Sequence, residues 1–193
     1  VQIIKRNKVP KSRFGDFISS NKRISWYIIS INYIKWFLYR GIFMSVHEFL
    51  LIKRTETQDE EFFETFYRNR ENHKDIIVDY ITVDMEIFDY IHDSLTWIPC
   101  RIPSLPGMPK EIGINEIGVT LFDEHSASPL ISIFSAWRDL FKNGPNIIEK
   151  RIFFAGEEAL SFERDDTIER FEKIISMSKQ LSEGNYYIYH FGI

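Results

Sequence analysis

Asp123-Glu124-His125-Ser126 sets an acid, a base and a hydroxyl side by side, the materials of proton transfer or nucleophilic attack. The quartet falls at the end of an expected strand and just before an expected helix, where chemistry is often placed. A plainer reading also fits. Ser128-Pro129 looks like an N-cap with proline at the first helical position, and a helix start needs turn and capping residues upstream of it. Neighbouring residues also point in different directions, so four in a row do not make a triad. An enzyme centred on Asp123 and His125 is therefore the alternative expectation. The other histidines, His47, His73, His92 and His190, form neither HxH nor HxxxH, and the single cysteine, Cys100, cannot complete a zinc set nearby. Phosphate-cradling glycine loops and the GxSxG elbow are lacking too. No cofactor, metal centre or disulfide is expected, and Cys100 is read as a small buried hydrophobe beside Pro99.

A second grouping suits binding rather than catalysis. Glu86, Asp89 and Asp93 are spaced by three and four, which puts three carboxylates in one line on a helix. Tyr90 and Trp97 run alongside, seven apart, and no Lys or Arg lies within that helix. Either this is a solvated face with Trp97 tucked into the core, or it is a surface for a cationic partner with aromatic anchors.

These residues need elements to hold them. Val46–Lys53 (VHEFLLIK) and Ile76–Val83 (IIVDYITV) read as strands, and between them Thr57 and Glu60 form a capping box for a helix carrying Phe62, Phe63 and Phe66. Asp84 is expected to cap a helix over 85–98, with Ile87, Ile91, Leu95 and Ile98 as its core stripe and Pro99 as its stop. From Cys100 to Lys110 the prolines and Gly107 predict irregular chain, and Ile112–Phe122 a strand. A helix from Ser128 buries Leu130, Ile133, Phe134, Trp137, Leu140 and Phe141 and ends at Asn143-Gly144-Pro145. A hairpin across Gly156-Glu157 joins 147–154 to 159–162. Asp166 then caps a helix with Ile168, Phe171, Ile174, Ile175, Ser178 and Leu181 on one face, and Tyr186–Phe191 is a last strand. Helices and strands alternate irregularly, with hairpins. The expected fold is α+β, a mixed or mostly antiparallel sheet with three to four helices in a single domain.

Charge divides the chain in two. Residues 1–43 hold nine of the 24 Lys/Arg and one of the 28 acids, Asp16, whereas residues 44–193 hold 15 bases and 27 acids, a net −12. Three readings of this leader compete. A membrane segment is disfavoured because Ile24–Ile34 is only eleven uncharged residues, where a spanning helix needs about 20; a secretory signal lacks its small-residue cleavage site. A nucleic-acid arm has the cations and the rings, but in separate blocks, and the acidic remainder would repel the same ligand. In the third, Ile, Lys, Asn, Tyr and Phe make up 24 of the 43 residues, all of them writable in A and T. Arg40-Gly41 can encode a ribosome-binding sequence two codons before Met44. This favours translated A/T-rich intergenic DNA, with the working protein starting at Met44 and the leader outside the core.

The remaining domain is small, acidic, rich in aromatic residues and without catalytic motifs. In that general character it resembles the immunity proteins of bacterial polymorphic toxin systems, which block a cognate toxin by direct contact. The resemblance implies a cytoplasmic binding protein with a basic toxin domain as partner, with no nucleic acid held by the domain itself and no membrane. It carries over no site residues, and the partner-binding set stays Glu86, Asp89, Tyr90, Asp93 and Trp97 from the helix spacing alone.

Overall fold

VHEFLLIK has no polar alternation, which is what a strand covered on both faces requires. The computed structural model, which describes residues 46–150 and 160–192, bears this out. In β1 (Val46–Lys53), His47, Phe49 and Leu51 point to one side and Leu50 and Ile52 to the other, and all five are buried. The basic leader and the turn at Gly156-Glu157 lie outside the described residues.

β1 pairs antiparallel with β2 (Ile77–Asp84) on one side and with β8 (Tyr186–Gly192) on the other. Next to β8 comes β5 (Gly118–Phe122), followed by the short strands β3 (Pro99–Arg101) and β4 (Lys110–Ile112). The order β2-β1-β8-β5-β3-β4 makes a six-stranded sheet in which every adjacent pair is antiparallel. β6 (Ile147–Lys150) and β7 (Leu160–Glu163) form a separate antiparallel hairpin, as expected.

Three helices cover one face of the sheet: α2 (Met85–Leu95), α3 (Glu124–Phe141) and α4 (Arg164–Leu181). They press Ile87, Ile91, Leu130, Phe134, Phe171 and Ile174 onto Phe49, Leu51, Phe122 and Ile188. Phe134 and Phe171 interlock α3 with α4, ring centroids 5.4 Å apart and near edge-on. The other face has a thinner cover, α1 (Glu60–Asn69), which continues as a 3-10 turn over Arg70–His73 and seats Phe63 and Phe66 on Leu50, Ile52, Leu121 and Tyr189. The fold is thus α+β, with four helices and a mostly antiparallel sheet among the described residues.

Several boundaries differ from expectation for local reasons. Asp59, not Thr57, caps α1, its Oδ1 accepting the Phe62 N–H at 2.9 Å. Thr57 shares its hydroxyl with Thr55, and Glu60 accepts the Gly107 N–H instead of reaching back to the helix start. α3 begins at Glu124 under an Asp123 cap, so Pro129 sits inside the helix, where its missing N–H forfeits one bond to the preceding turn. α4 begins at Arg164, ahead of Asp166, which pairs with Arg170 at 2.9 Å one turn on. Within the segment expected to be irregular, β3 and β4 pair across the 102–109 turn; proline is tolerated as the first residue of a strand, and Pro99 occupies that place. α2 stops at Leu95, and the strand expected from Ile112 is regular only from Gly118. Leu140, expected in the core, is 59% exposed.

Candidate protein-binding surface

α2 forms because apolar residues recur on its inner side, and Ile87, Phe88, Ile91 and Leu95 are all buried there. That fixes what faces outward. Asp89 is exposed, and the Asp93 side chain is fully so, 4.0 Å from His92 Nδ1. Glu86 is only half-buried, so the line of three carboxylates is complete in direction but uneven in reach. Lys and Arg are absent from the helix, and His92 reaches sideways to Glu116 Oε1 at 2.7 Å. The two expected aromatic anchors separate. Tyr90 is 42% exposed and meets Trp137, Phe141 and Phe162 edge-on at 5.7–5.9 Å, so much of it is core. Trp97 lies just past the helix end and is 69% exposed, which rules out the buried reading of its side chain.

Sequence reasoning missed the neighbours of Trp97. Gly113 N donates to Ile98 O at 2.8 Å, and a Cβ on Gly113 would lie 3.5 Å from the Thr96 Cα. The chain after β4 therefore runs along the end of α2, and the Glu116–His92 contact ties it there. Ile112 and Ile117 on this segment are 73% and 67% exposed. Their apolar character pointed to a strand; nothing local signals that the strand breaks and leaves both side chains outside.

The Asp123 quartet is brought together, but mostly for structure. Asp123 Oδ2 accepts from Arg101 Nε at 2.9 Å, while Oδ1 takes the His125 backbone N–H at 3.0 Å and lies 3.3 Å from His125 Nδ1. Burial pushes this carboxyl up, but the Arg101 hydrogen bond, the His125 N–H and the nearby positive charges outweigh it and hold the group below the usual carboxylate range. Glu124 pairs with Arg54 at 3.2 Å. Ser126 is fully buried and donates its hydroxyl to Pro99 O at 2.6 Å, so it cannot meet a substrate. Donor atoms of Asp123, Glu124 and His125 lie within 4.8 Å of one another, yet both Asp123 oxygens already serve Arg101 and the helix cap, which leaves the set a poor metal cradle. Two concavities, of about 360 and 690 Å³, lie elsewhere: one over Glu48, Leu50 and Tyr80, the other between the β2 edge and α4. Cys100 donates to Gly113 O at 2.8 Å, and burial, then the charges of Glu111 and Asp123, raise its thiol to about 11, so it stays protonated.

Among the described residues, no helix is long and apolar enough to cross a membrane. Comparison with protein-family models, curated proteins and solved structures finds no match for this chain.

Proposed function

We propose that residues 44–193 are a small binding protein that neutralises a basic partner, in the manner of an immunity protein contacting its toxin in the cytoplasm. The observation that carries this reading is the outer face of α2, where exposed Asp89 and Asp93 run toward an exposed Trp97 with no Lys or Arg in the helix. Large aromatic residues dominate binding energy at protein interfaces, whereas flanking charges steer encounter and select the partner. A fold whose core is closed by so many rings has no packing need to leave a tryptophan outside.

The natural partner to test is the product of the adjacent gene. Expressed alone it should arrest growth; co-expressed with this chain it should form a complex and growth should resume. A neighbour that neither binds nor harms the cell removes the reading. A small enzyme using Asp123 and His125 is the second reading, supported by their 3.3 Å approach and weakened by the burial of Ser126.

A further inference from the structure

We infer that the buried His47–His190 pair is an acid-sensitive latch: a proton taken up by the pair releases α2 from the sheet while α3 and α4 stay in place. The device is independent of the binding reading above.

Three observations carry it. First, the pair has one place for a further proton, and it is a poor one. His47 Nε2 faces Met85 Sδ, His47 Nδ1 faces His190 Nε2, and both rings are fully buried. A thioether sulfur only accepts, so His47 donates from Nε2 to Met85, and His190 donates from Nε2 to His47. What stays open is His190 Nδ1, which has no partner among the described residues. A proton there makes a cation whose new N–H meets no acceptor, and burial penalises an unpaired charge heavily.

Second, α2 is the element that can yield. β1 and β8 are each paired on both sides within the sheet, so the strands that carry the two histidines are fixed. The rings are roofed from α2: Phe88 stacks on His47 at 3.4 Å and lies nearly parallel to His190 at 5.8 Å, while Met85 takes the His47 N–H at the first helical turn. α3 and α4 pack along each other, whereas α2 meets β1, β2, β7 and α3 at a few places each.

Third, the nearby charges do not rescue the proton. From α2, Asp89 favours a charge on His47 and His92 opposes it, and His92 is itself bound to Glu116 at 2.7 Å. Across the strands His47 stands opposite Val83 of β2, and His190 opposite Phe49 of β1 and Thr120 of β5, none of them charged. Burial outweighs the pull of Asp89, so both rings are held below the usual histidine range. Proton uptake is easier once α2 has lifted and the rings meet water. By linkage, a fall in pH from 6.5 toward about 4 favours the lifted state.

Hydrogen exchange of the full chain tests this, read by amide NMR at pH 7, 6, 5 and 4.5 and corrected for the intrinsic rate at each pH. Between pH 7 and 4.5 the amides of residues 89–95 should lose about tenfold or more in protection relative to those of α3 and α4, since each pH unit below 6.5 is worth up to about tenfold per ring. His190→Gln, whose amide still donates to His47 but takes no proton, should cut that relative loss to about threefold or less. Protection that falls equally in all three helices would mean that the proton opens the whole fold, and protection that does not fall would mean that it is held in place; either overturns the latch. So would a loss confined to α2 that persists in both His190→Gln and His47→Gln. If these variants do not fold, the ring Cε1–H signals of His47 and His190 decide: they must move over the same pH interval as the α2 amides, or the latch falls. No partner is present, so this result and the growth test above can fail separately.

Discussion

His47 Nδ1 lies 2.9 Å from His190 Nε2, joining the first strand of the sheet to the last within a wholly buried environment. His47 Nε2 is 3.1 Å from Met85 Sδ, and the ring stacks on Phe88 at 3.4 Å. A thioether sulfur can only accept, so the network assigns the proton of His47 to Nε2 and makes His190 the donor between the rings. His190 Nδ1 is then a bare acceptor, without a partner among the described residues, the milder kind of unsatisfied group. Burial lowers His47 to about 4; Asp89 opposes and His92 adds to the shift. Burial and then His47 push His190 well down.

A pH dependence of stability follows. Both rings bind protons more readily unfolded, near pH 6.5, than folded. Stability is therefore full above that value and is lost as pH falls from 6.5 toward 4, by up to about 1.4 kcal/mol per pH unit for each ring. Urea melts at pH 7, 6, 5 and 4 should show this slope, and His190→Gln should reduce it. A flat profile from 7 to 5 would mean that the rings are not held neutral.

Asp123 should prove more important to stability than His125. Asp123→Ala removes a helix cap and leaves Arg101 without its carboxylate, for a loss of about 2 kcal/mol in chemical denaturation. His125→Ala, with its side chain 63% exposed, should stay within about 0.5 kcal/mol. The Asp123 contribution is present above the ordinary carboxylate range and disappears as pH falls through the lowered folded value. Equal losses for the two variants would contradict the capping role.

Gly192→Ala should lower the melting temperature and disturb the surface as well, because the Glu116 carbonyl must move to admit a methyl group. The expected loss is about 1–3 kcal/mol, as for overpacking a tight site. Trp97 emission should shift in the same variant, since the displaced chain runs along the end of α2. An unchanged melt and spectrum would show that the segment yields freely.

The triple change Glu86→Gln, Asp89→Asn, Asp93→Asn should leave the melt unchanged or raise it by a few tenths of a kcal/mol, as like charges three and four apart repel. With the neighbouring gene product as ligand, stopped-flow association should slow and lose salt dependence, because steering acts over about 10 Å at 0.1 M salt. Unaltered kinetics would eliminate the acidic line as the steering element.

The β2 edge of the sheet gives a further mutational test. Along β2, Tyr80 N–H is taken by the Asp79 carboxylate and Thr82 O by Arg170 Nη1. Side chains thus occupy backbone groups that another strand would use. Arg170→Ala with Asp79→Ala should raise light scattering on mild heating; clear solutions would place the protection elsewhere.

Much of this fold is legible in the sequence where one element's pattern suffices. Ile87, Ile91, Leu95 and Ile98 announce an inward helix face at three- and four-residue spacing, and all are buried. By the same pattern Asp89 and Asp93 had to face out. What stays hidden depends on pairing between distant segments. Nothing near His47 says that His190 will lie beside it, 143 residues on. Cap positions are ambiguous where two polar residues compete, as with Thr57 and Asp59, because the winner depends on where the core begins the helix. Helical spacing does not reach Trp97, which lies beyond the last turn of α2 and is 69% exposed.

Pairing of β1 with β8 also governs the order in which the molecule can be made. β8 is flanked by β1 and β5, so neither side of the sheet can close until residues 186–192 have been synthesised. On the ribosome, Phe49, Leu51, Phe122 and the inner faces of three helices emerge with no central strand to rest on. The β1–β2 pair and the β5–β3–β4 group can be joined into one sheet only when Ile188 and Tyr189 arrive, so the contacts that complete the core are of long sequence separation. A stop codon placed a few residues before Tyr186 would therefore yield no smaller domain, only a chain held open for proteases and chaperones.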